Sequence, residues 1–283
     1  MRTSRRLLCS FGLTVLLGLS ACVSTWETAP SLATQTSVVP SAVQQALAPT
    51  GVLRVGVYLG SPTSWVRDPK TGQSYGIAFE LGHALGQQLG VPVQVVTYPR
   101  VAEVIEGLKK SDIDMTFTNA SPARAKDVDF TAPLIQLELG LLVPATNRLQ
   151  SFNDVDHAGV RLGVSQGSSS QAALGARLKQ ATVVPVASLT EVQRLLQRGE
   201  LDAFATNKAI LFELVEKVPG ARVLKDRWGF ENLAIAVPKG REAGLPYLRD
   251  FAQARKQQGD LQRMAERAGL RGLAETDQPT KER

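Results

Sequence analysis

Cysteine is almost missing from this chain. Its 283 residues hold two, Cys9 and Cys22, and both stand near the N-terminus. The body beyond them can form no disulfide and has no cysteine nucleophile, so its stability must come from apolar cores. Histidine is equally scarce. His83 falls in an expected helix and His157 in a polar stretch, and neither belongs to a cluster with metal-ligand spacing. No structural zinc, other metal or cofactor is expected. Phosphate-binding GxxxxGK[ST] and HExxH patterns are also absent. The one long apolar run, Leu7 to Leu19, falls short of the roughly 20 residues that a membrane span needs. Excess charge is lacking too. Of 32 Lys and Arg, three precede that run, and the remaining 29 face 26 Asp and Glu. A balance near +3 gives no support to nucleic-acid binding.

What is present begins with the leader. Arg2, Arg5 and Arg6, then the Leu7–Leu19 run, then Ser20-Ala21-Cys22 make a basic region, an apolar region and a small-residue cleavage site. Leu19-Ser20-Ala21-Cys22 resembles a bacterial lipobox, in which the cysteine becomes the first mature residue and carries the lipid. The expectation is a signal peptide over 1–21, lipidation at Cys22 and a periplasmic protein anchored to a bacterial membrane. A plain signal peptide with a chance cysteine is the alternative. Residues 22–50, rich at first in Ser, Thr, Ala and Pro, suit a tether.

Farther on, short apolar strands alternate with helical spacing. Leu53 to Tyr58, Val93 to Thr97 and Ile113 to Thr118 read as strands. Ile77, Leu81, Leu85 and Leu89 share one face of a helix, and a second helix covers Val101 to Leu108. The pattern restarts with strands from Leu139, Val160, Val183 and Leu201, helices over 168–179, 190–197 and 207–216, and a last strand over Leu233 to Val237. Two helices follow, and the polar end, 271–283, reads as disordered. This order predicts an α/β protein with mostly parallel sheets. Ligands of open α/β sheets bind beyond the carboxyl ends of the strands. No internal repeat carries an argument of its own. The stretch Asp114 to Pro133 is the most informative. An apolar run ends in small polar residues, and Ser121-Pro122 turns the chain into Arg124. An arginine beside hydroxyls at a strand-to-helix junction can receive a carboxylate. An exposed surface arginine is the competing reading.

Six landmarks in order resemble the bacterial extracellular solute-binding proteins of family 3, the receptors of amino-acid-type ABC importers. They are Gly51-Val52-Leu53-Arg54-Val55-Gly56-Val57, Gly76 to Leu81, Ser121 to Arg124 with Asp129 to Pro133, Gly163 to Ser169, Gly199 to Ala203, and Ala236 to Gly240. The resemblance implies a type II periplasmic binding protein fold, two α/β lobes joined by two hinge crossings around a ligand cleft. Residues 51–134 plus 234–270 would form lobe one, and 135–233 lobe two. It also implies a small-molecule ligand, an ABC permease as partner, no nucleic acid, and a monomer that binds without turning its ligand over.

The same resemblance assigns site roles. Arg124 matches the carboxylate-binding arginine, with Asn119 and Ser121 beside it. Gly167, Ser168 and Ser169 match a loop of the other lobe that donates to the same anion; helix capping is the alternative for the serines. Trp65 falls at the aromatic wall. Two positions depart from the pattern. Where carboxylates commonly hold a ligand ammonium, this chain has Tyr58 and Asn207, and Thr63 replaces an aromatic after Pro62. A buried ammonium without a charged partner is costly. The expected ligand is therefore an organic anion or a polar amino-acid-like compound other than a standard α-amino acid. Glu138 is the candidate replacement charge, an exposed strand residue being the alternative. Two other functions stay open: a periplasmic sensor or accessory protein without a permease, and a dehydratase-like enzyme, for which Glu138 and Glu80 are the loose candidates.

Overall fold

The structure is a computed structural model that describes residues 39–274. The leader, Cys22 and the end of the chain from 275 lie outside the described residues. The first half runs α1 (Ser41–Leu47), β1 (Leu53–Tyr58), β2 (Val66–Arg67), β3 (Ser74–Tyr75), α2 (Ile77–Leu89), β4 (Val93–Tyr98), α3 (Val101–Lys109), β5 (Thr116–Asn119), β6 (Val128–Phe130) and β7 (Ile135–Val143). It continues with β8 (Arg161–Ser165), α4 (Ser169–Arg177), β9 (Thr182–Val186), α5 (Leu189–Gln197), β10 (Ala203–Asn207), α6 (Lys208–Val215), β11 (Arg222–Val223), β12 (Gly229–Pro238), α7 (Leu245–Gln257) and α8 (Asp260–Arg267).

The molecule is a type II periplasmic binding protein fold of two α/β lobes. In lobe one, β1 lies parallel to β4 from Leu53↔Val93 to Tyr58↔Tyr98. On its other edge, Val55 bridges Met115 just before β5. The helix α2 forms because Ile77, Leu81, Leu85 and Leu89 recur on one face, all buried. It ends at Gly90, whose left-handed backbone (φ 69°) closes the last turn. That face packs with α7 and α8 on one side of the sheet, while Val104, Ile105 and Leu108 of α3 cover the other. In lobe two, β8 pairs in parallel with β9 and β10. Period-two alternation fills two cores: Ala203 and Ala205 face one side, and Phe204 faces the other.

Two long strands join the lobes. The strand β7 pairs antiparallel with β12 from Ile135↔Leu233 to Leu139↔Gly229, then with β10 from Leu139↔Asn207 to Leu142↔Phe204. Beyond Leu233, β12 passes to β5 and β6. These are the two hinge crossings.

Two expectations are corrected here. Residues 39–50 are not tether: Val43 and Leu47 of α1 are buried in the lobe-one core, and Arg241 donates to the Ala46 carbonyl at 2.6 Å. Residues 271–274 are ordered against β7, where the Glu138 N–H donates to the Gly272 carbonyl and the Ala274 N–H to the Gln136 carbonyl, both at 2.9 Å.

Candidate ligand-binding cleft

The site is built from strand ends that meet between the lobes. Strand β5 ends at Asn119, and a short turn leads into a 3-10 helix beginning at Arg124. The Ser121 hydroxyl accepts the Arg124 N–H at 3.3 Å and sets where that turn starts. The guanidinium then folds back over the strand. Its Nη1 donates to Thr118 Oγ1 at 2.8 Å and to the Asn119 carbonyl at 3.3 Å. Among the described residues, Nε and Nη2 have no hydrogen-bond partner. Burial lowers the Arg124 pKa, opposed by the charge of Glu231.

Tyr58, at the end of β1, forms a second wall. Its hydroxyl donates to Ser61 Oγ at 3.3 Å, and Ser61 is bonded to Thr63 at 2.9 Å. Burial pushes the Tyr58 phenol above its usual range, so the group stays neutral.

Lobe two faces these groups with a helix start. Ser168 caps α4 by accepting the Gln171 N–H at 3.1 Å. The Ser169 hydroxyl accepts from Asn119 Nδ2 at 3.1 Å, a direct bond between lobes. A longer one runs from Arg100 Nη1 to the Ala187 carbonyl at 3.4 Å. The lobes are therefore closed on each other. Between them lies a cavity of about 40 Å³. Arg124, Thr118, Asn119, Tyr58 and Thr63 line it from lobe one; Ser168, Ser169 and Asn207 line it from lobe two.

Asn207 ends β10 and caps α6. Its Oδ1 accepts the Ile210 N–H at 3.1 Å, and its Nδ2 donates to Glu231 Oε1 at 2.7 Å. Glu231 lies on the crossing strand β12, is 8% exposed, and lines the same cavity. Burial raises its pKa; Arg124 and the Asn207 bond pull against that.

Of the residues singled out by sequence, Arg124, Asn119, Tyr58, Ser168, Ser169 and Asn207 come together at this cavity, and four do not line it. Ser121 stands behind Arg124. Gly167 is bonded to its own helix, its N–H donating to Gln171 Oε1 at 2.6 Å. Trp65 packs against the lobe-one core, with Nε1 buried and lacking a partner among the described residues. The aromatic-wall expectation is thus corrected: the ring belongs to packing. Glu138 is corrected as well. It sits on β7 bonded to Lys208 at 2.7 Å and to Arg227 at 3.2 Å, its charge neutralised outside the cavity. Glu80 pairs with Arg267 on α8. Sequence reasoning missed Glu231, and with it the fact that the cleft contains a carboxylate. The argument against an α-amino acid, based on Tyr58 and Asn207 being uncharged, loses its premise.

Two hinged lobes closing on a cavity that holds an arginine and a helix N-terminus define a solute-binding protein. The chain belongs to the bacterial extracellular solute-binding proteins, family 3, whose model matches residues 53–270. A glutamine-binding protein of Geobacillus stearothermophilus is 24% identical over 196 residues, 67% of this chain and 73% of its own length. Among solved structures, an ancestral arginine-binding protein bound to arginine is similar at 26% identity and TM-score 0.68, over 77% of this chain and 97% of that one. The ancestral amino acid-binding protein AncCDT-1, described as a precursor of cyclohexadienyl dehydratase, is similar at 25% identity and TM-score 0.69, over 81% and 99%.

Proposed function

We propose that this protein is the solute-binding component of an ABC importer and captures a small polar solute through its carboxylate. Arg124 is the receiving group. The observation that carries the reading is the half-engaged guanidinium. Nη1 is fixed by Thr118 and Asn119, while Nε and Nη2 have no partner among the described residues, at a cavity whose opposite wall is the start of α4. A carboxylate there gains charge-assisted bonds from the fork and from the unpaired N–H groups of the helix. Contacts to both lobes make binding and closure one event. The closed form is then what an ABC permease recognises, with the receptor acting as a monomer tied to the membrane through a lipid on Cys22.

Calorimetry on the protein purified without its leader tests this. A carboxylate-bearing solute is expected to bind one per chain. Arg124→Ala is expected to weaken it by about 2–5 kcal/mol, the loss seen when one partner of a buried charge pair is removed, with an unchanged circular dichroism spectrum. Undiminished binding to that variant would refute the assignment. The anchor has its own test: Cys22→Ser is expected to shift the protein from the membrane to the soluble fraction of the periplasm, and a variant that stays with the membrane would disprove lipidation at this residue.

One observation favours a second reading. Glu231 is a buried carboxyl with a raised pKa inside the cavity, the property that a general acid needs. Gly163-Val164-Ser165-Gln166-Gly167 also has the spacing of a hydrolase elbow, but no histidine lines the cavity among the described residues. Mass spectrometry of ligand recovered after prolonged incubation separates a receptor, which returns it intact, from a dehydratase, which returns a lighter product.

A further inference from the structure

We infer that the protein has a second binding site behind the hinge, one that takes a small carboxylate with a compact apolar body and, when filled, favours the closed lobes. The inference is independent of what the cleft binds.

Neighbouring residues of a strand face opposite ways. On β12, Glu231 lines the cleft, and Asn232 lines a separate cavity of about 430 Å³. The closed cleft holds about 40 Å³. The larger volume is within the range of small-molecule sites. Its floor is apolar: Leu134 and Ile135 at the start of β7, Leu261 and Ala265 of α8, and Leu273, which is 39% exposed. An apolar body of modest size can cover these side chains and gain by taking them out of water.

The polar end selects the sign of the ligand. Lys256, in the last turn of α7, is the only charged residue among those lining the cavity, and its Nζ has no partner among the described residues. The neighbouring cations are already engaged, Arg255 and Arg263 both pairing with Asp260. Across the turn at Gly259 (φ 72°) α8 begins, with no side chain capping it, and its first-turn residues Leu261 and Gln262 line the cavity too. A cation and an uncapped helix start on either side of one turn suit a carboxylate.

The cavity is tied to closure in two ways. Its walls come from both crossings, from α8 of lobe one, and from the segment after Leu270, which Arg271 fastens to the Phe212 carbonyl of lobe two. A molecule that fits this shape is held less well once the crossings turn, so it favours the closed state. The second tie is a chain of bonds. Gln136 Nε2 donates to Asn232 Oδ1 at 2.9 Å, the Asn232 N–H donates to Asn119 Oδ1 at 3.1 Å, and Asn119 Nδ2 donates to Ser169 across the lobes at 3.1 Å. The cavity wall is thus two hydrogen bonds away from a contact that exists only when the lobes meet.

The test uses phenylacetate, with 2-phenylacetamide and phenethylamine as its neutral and cationic counterparts, titrated calorimetrically into Arg124→Ala, so that the cleft arginine cannot answer for the carboxylate. Phenylacetate is expected to bind one per chain with a Kd of about 1 mM or below, and about tenfold or more tighter than either counterpart. In the same background, Lys256→Gln is expected to weaken it about three- to tenfold. Gln262→Trp, which puts a ring into the cavity, is expected to abolish it. Both positions are exposed, so both variants are expected to fold, as circular dichroism would check. The radius of gyration of Arg124→Ala, by small-angle scattering, is expected to fall as phenylacetate saturates it. Equal binding of the three probes, or binding untouched by Lys256→Gln and Gln262→Trp, would overturn the site. Binding only to a chain stopped after Ala274 would overturn it as well, by giving the cavity to the residues that follow. An unchanged radius at saturation would overturn the link to closure. Each of these results leaves the reading of the cleft standing, because Arg124 is absent throughout.

Discussion

At the scale of single residues, the cleft works by spending most of its polar atoms on one another. Thr118 fixes Arg124, Ser61 and Thr63 fix Tyr58, and Asn207 fixes Glu231. Among the described residues, the polar atoms left open include one side of a guanidinium and one carboxylate oxygen. Glu231 has a consequence for pH. Its pKa in the folded protein is raised, chiefly by burial, above the value near 4.3 of an unfolded glutamate. The folded state therefore holds this proton more tightly than the unfolded state does. Stability contributed by Glu231 rises as pH falls from above the folded value toward the unfolded one, because ionisation in the buried site is what costs. Thermal melts of wild type beside Glu231→Gln between pH 7 and about pH 4.5 are expected to show this trend. Wild type gains stability relative to the variant on acidification. Parallel pH profiles for the two proteins would mean that Glu231 is not the titrating group.

At the scale of elements, the two lobes repeat one device. In lobe one, Arg54 on β1 forks onto Asp114 just before β5, through Nε at 2.9 Å and Nη2 at 2.8 Å. In lobe two, Arg161 on β8 forks onto Asp202 just before β10, at 3.0 and 3.2 Å. Two residues after each arginine stands a glycine roofed by an aliphatic chain. A Cβ on Gly56 would lie 2.1 Å from Ile113 Cδ1, and one on Gly163 would lie 2.6 Å from Leu201 Cδ1. Each unit ends in Thr-Asn: Thr118-Asn119 and Thr206-Asn207. The asparagines bond toward successive residues of β12, Asn119 Oδ1 accepting the Asn232 N–H and Asn207 donating to Glu231. Gly56→Ala and Gly163→Ala are each expected to lower stability by about 1–3 kcal/mol through overpacking, read as a drop in Tm; an unchanged Tm would show that the aliphatic roof yields freely. This repeat was present in the sequence but not legible there, because the loops between its parts differ in length and no single period links them. The same holds for Glu231. Helices and strands with clean periodicity were legible, as α2 and the strands ending at Tyr58, Asn119 and Asn207 show, and so was the turn that places Arg124. The crossing halves were not. Strands were expected only from Leu139 and Leu233, because Gln136, Glu138, Glu231 and Asn232 break the apolar pattern. Their extended form and the burial of Glu231 come from β7 pairing with β12, a contact between segments far apart in the chain that local spacing cannot report.

At the scale of the whole molecule, a third segment touches both lobes besides the two crossings. Leu270 is buried in the lobe-one core. The next residue, Arg271, donates to the Phe212 carbonyl and to Glu216 of α6 in lobe two, both at 2.7 Å. Gly272 to Ala274 then run along the edge of β7, taking it over where β10 stops opposite Leu139. Gly272 has to be glycine there, with φ 80° and room for no Cβ, which would sit 2.4 Å from that of Lys208. The segment thus has a foot in each lobe and lies on residues 136–138, where the hinge turns. Its bonds are made in the closed arrangement, together with Asn119–Ser169 and Arg100–Ala187. Opening rotates the lobe-two end of the segment relative to Leu270, so the bonds of Arg271 and Gly272 favour the closed state to the extent that they break on opening. One backbone hydrogen bond, one bond from the Arg271 side chain to a carbonyl and an exposed ion pair amount to about 1–2 kcal/mol net. A chain stopped after Gly269 is expected to fold, because apart from Leu270 the cores of both lobes lie upstream, and to bind its ligand about five- to thirtyfold more weakly. Its radius of gyration without ligand, by small-angle scattering, should be larger than that of a chain stopped after Ala274, which keeps the segment. Equal affinities and equal radii in the two truncations would show that this segment follows the hinge without biasing it.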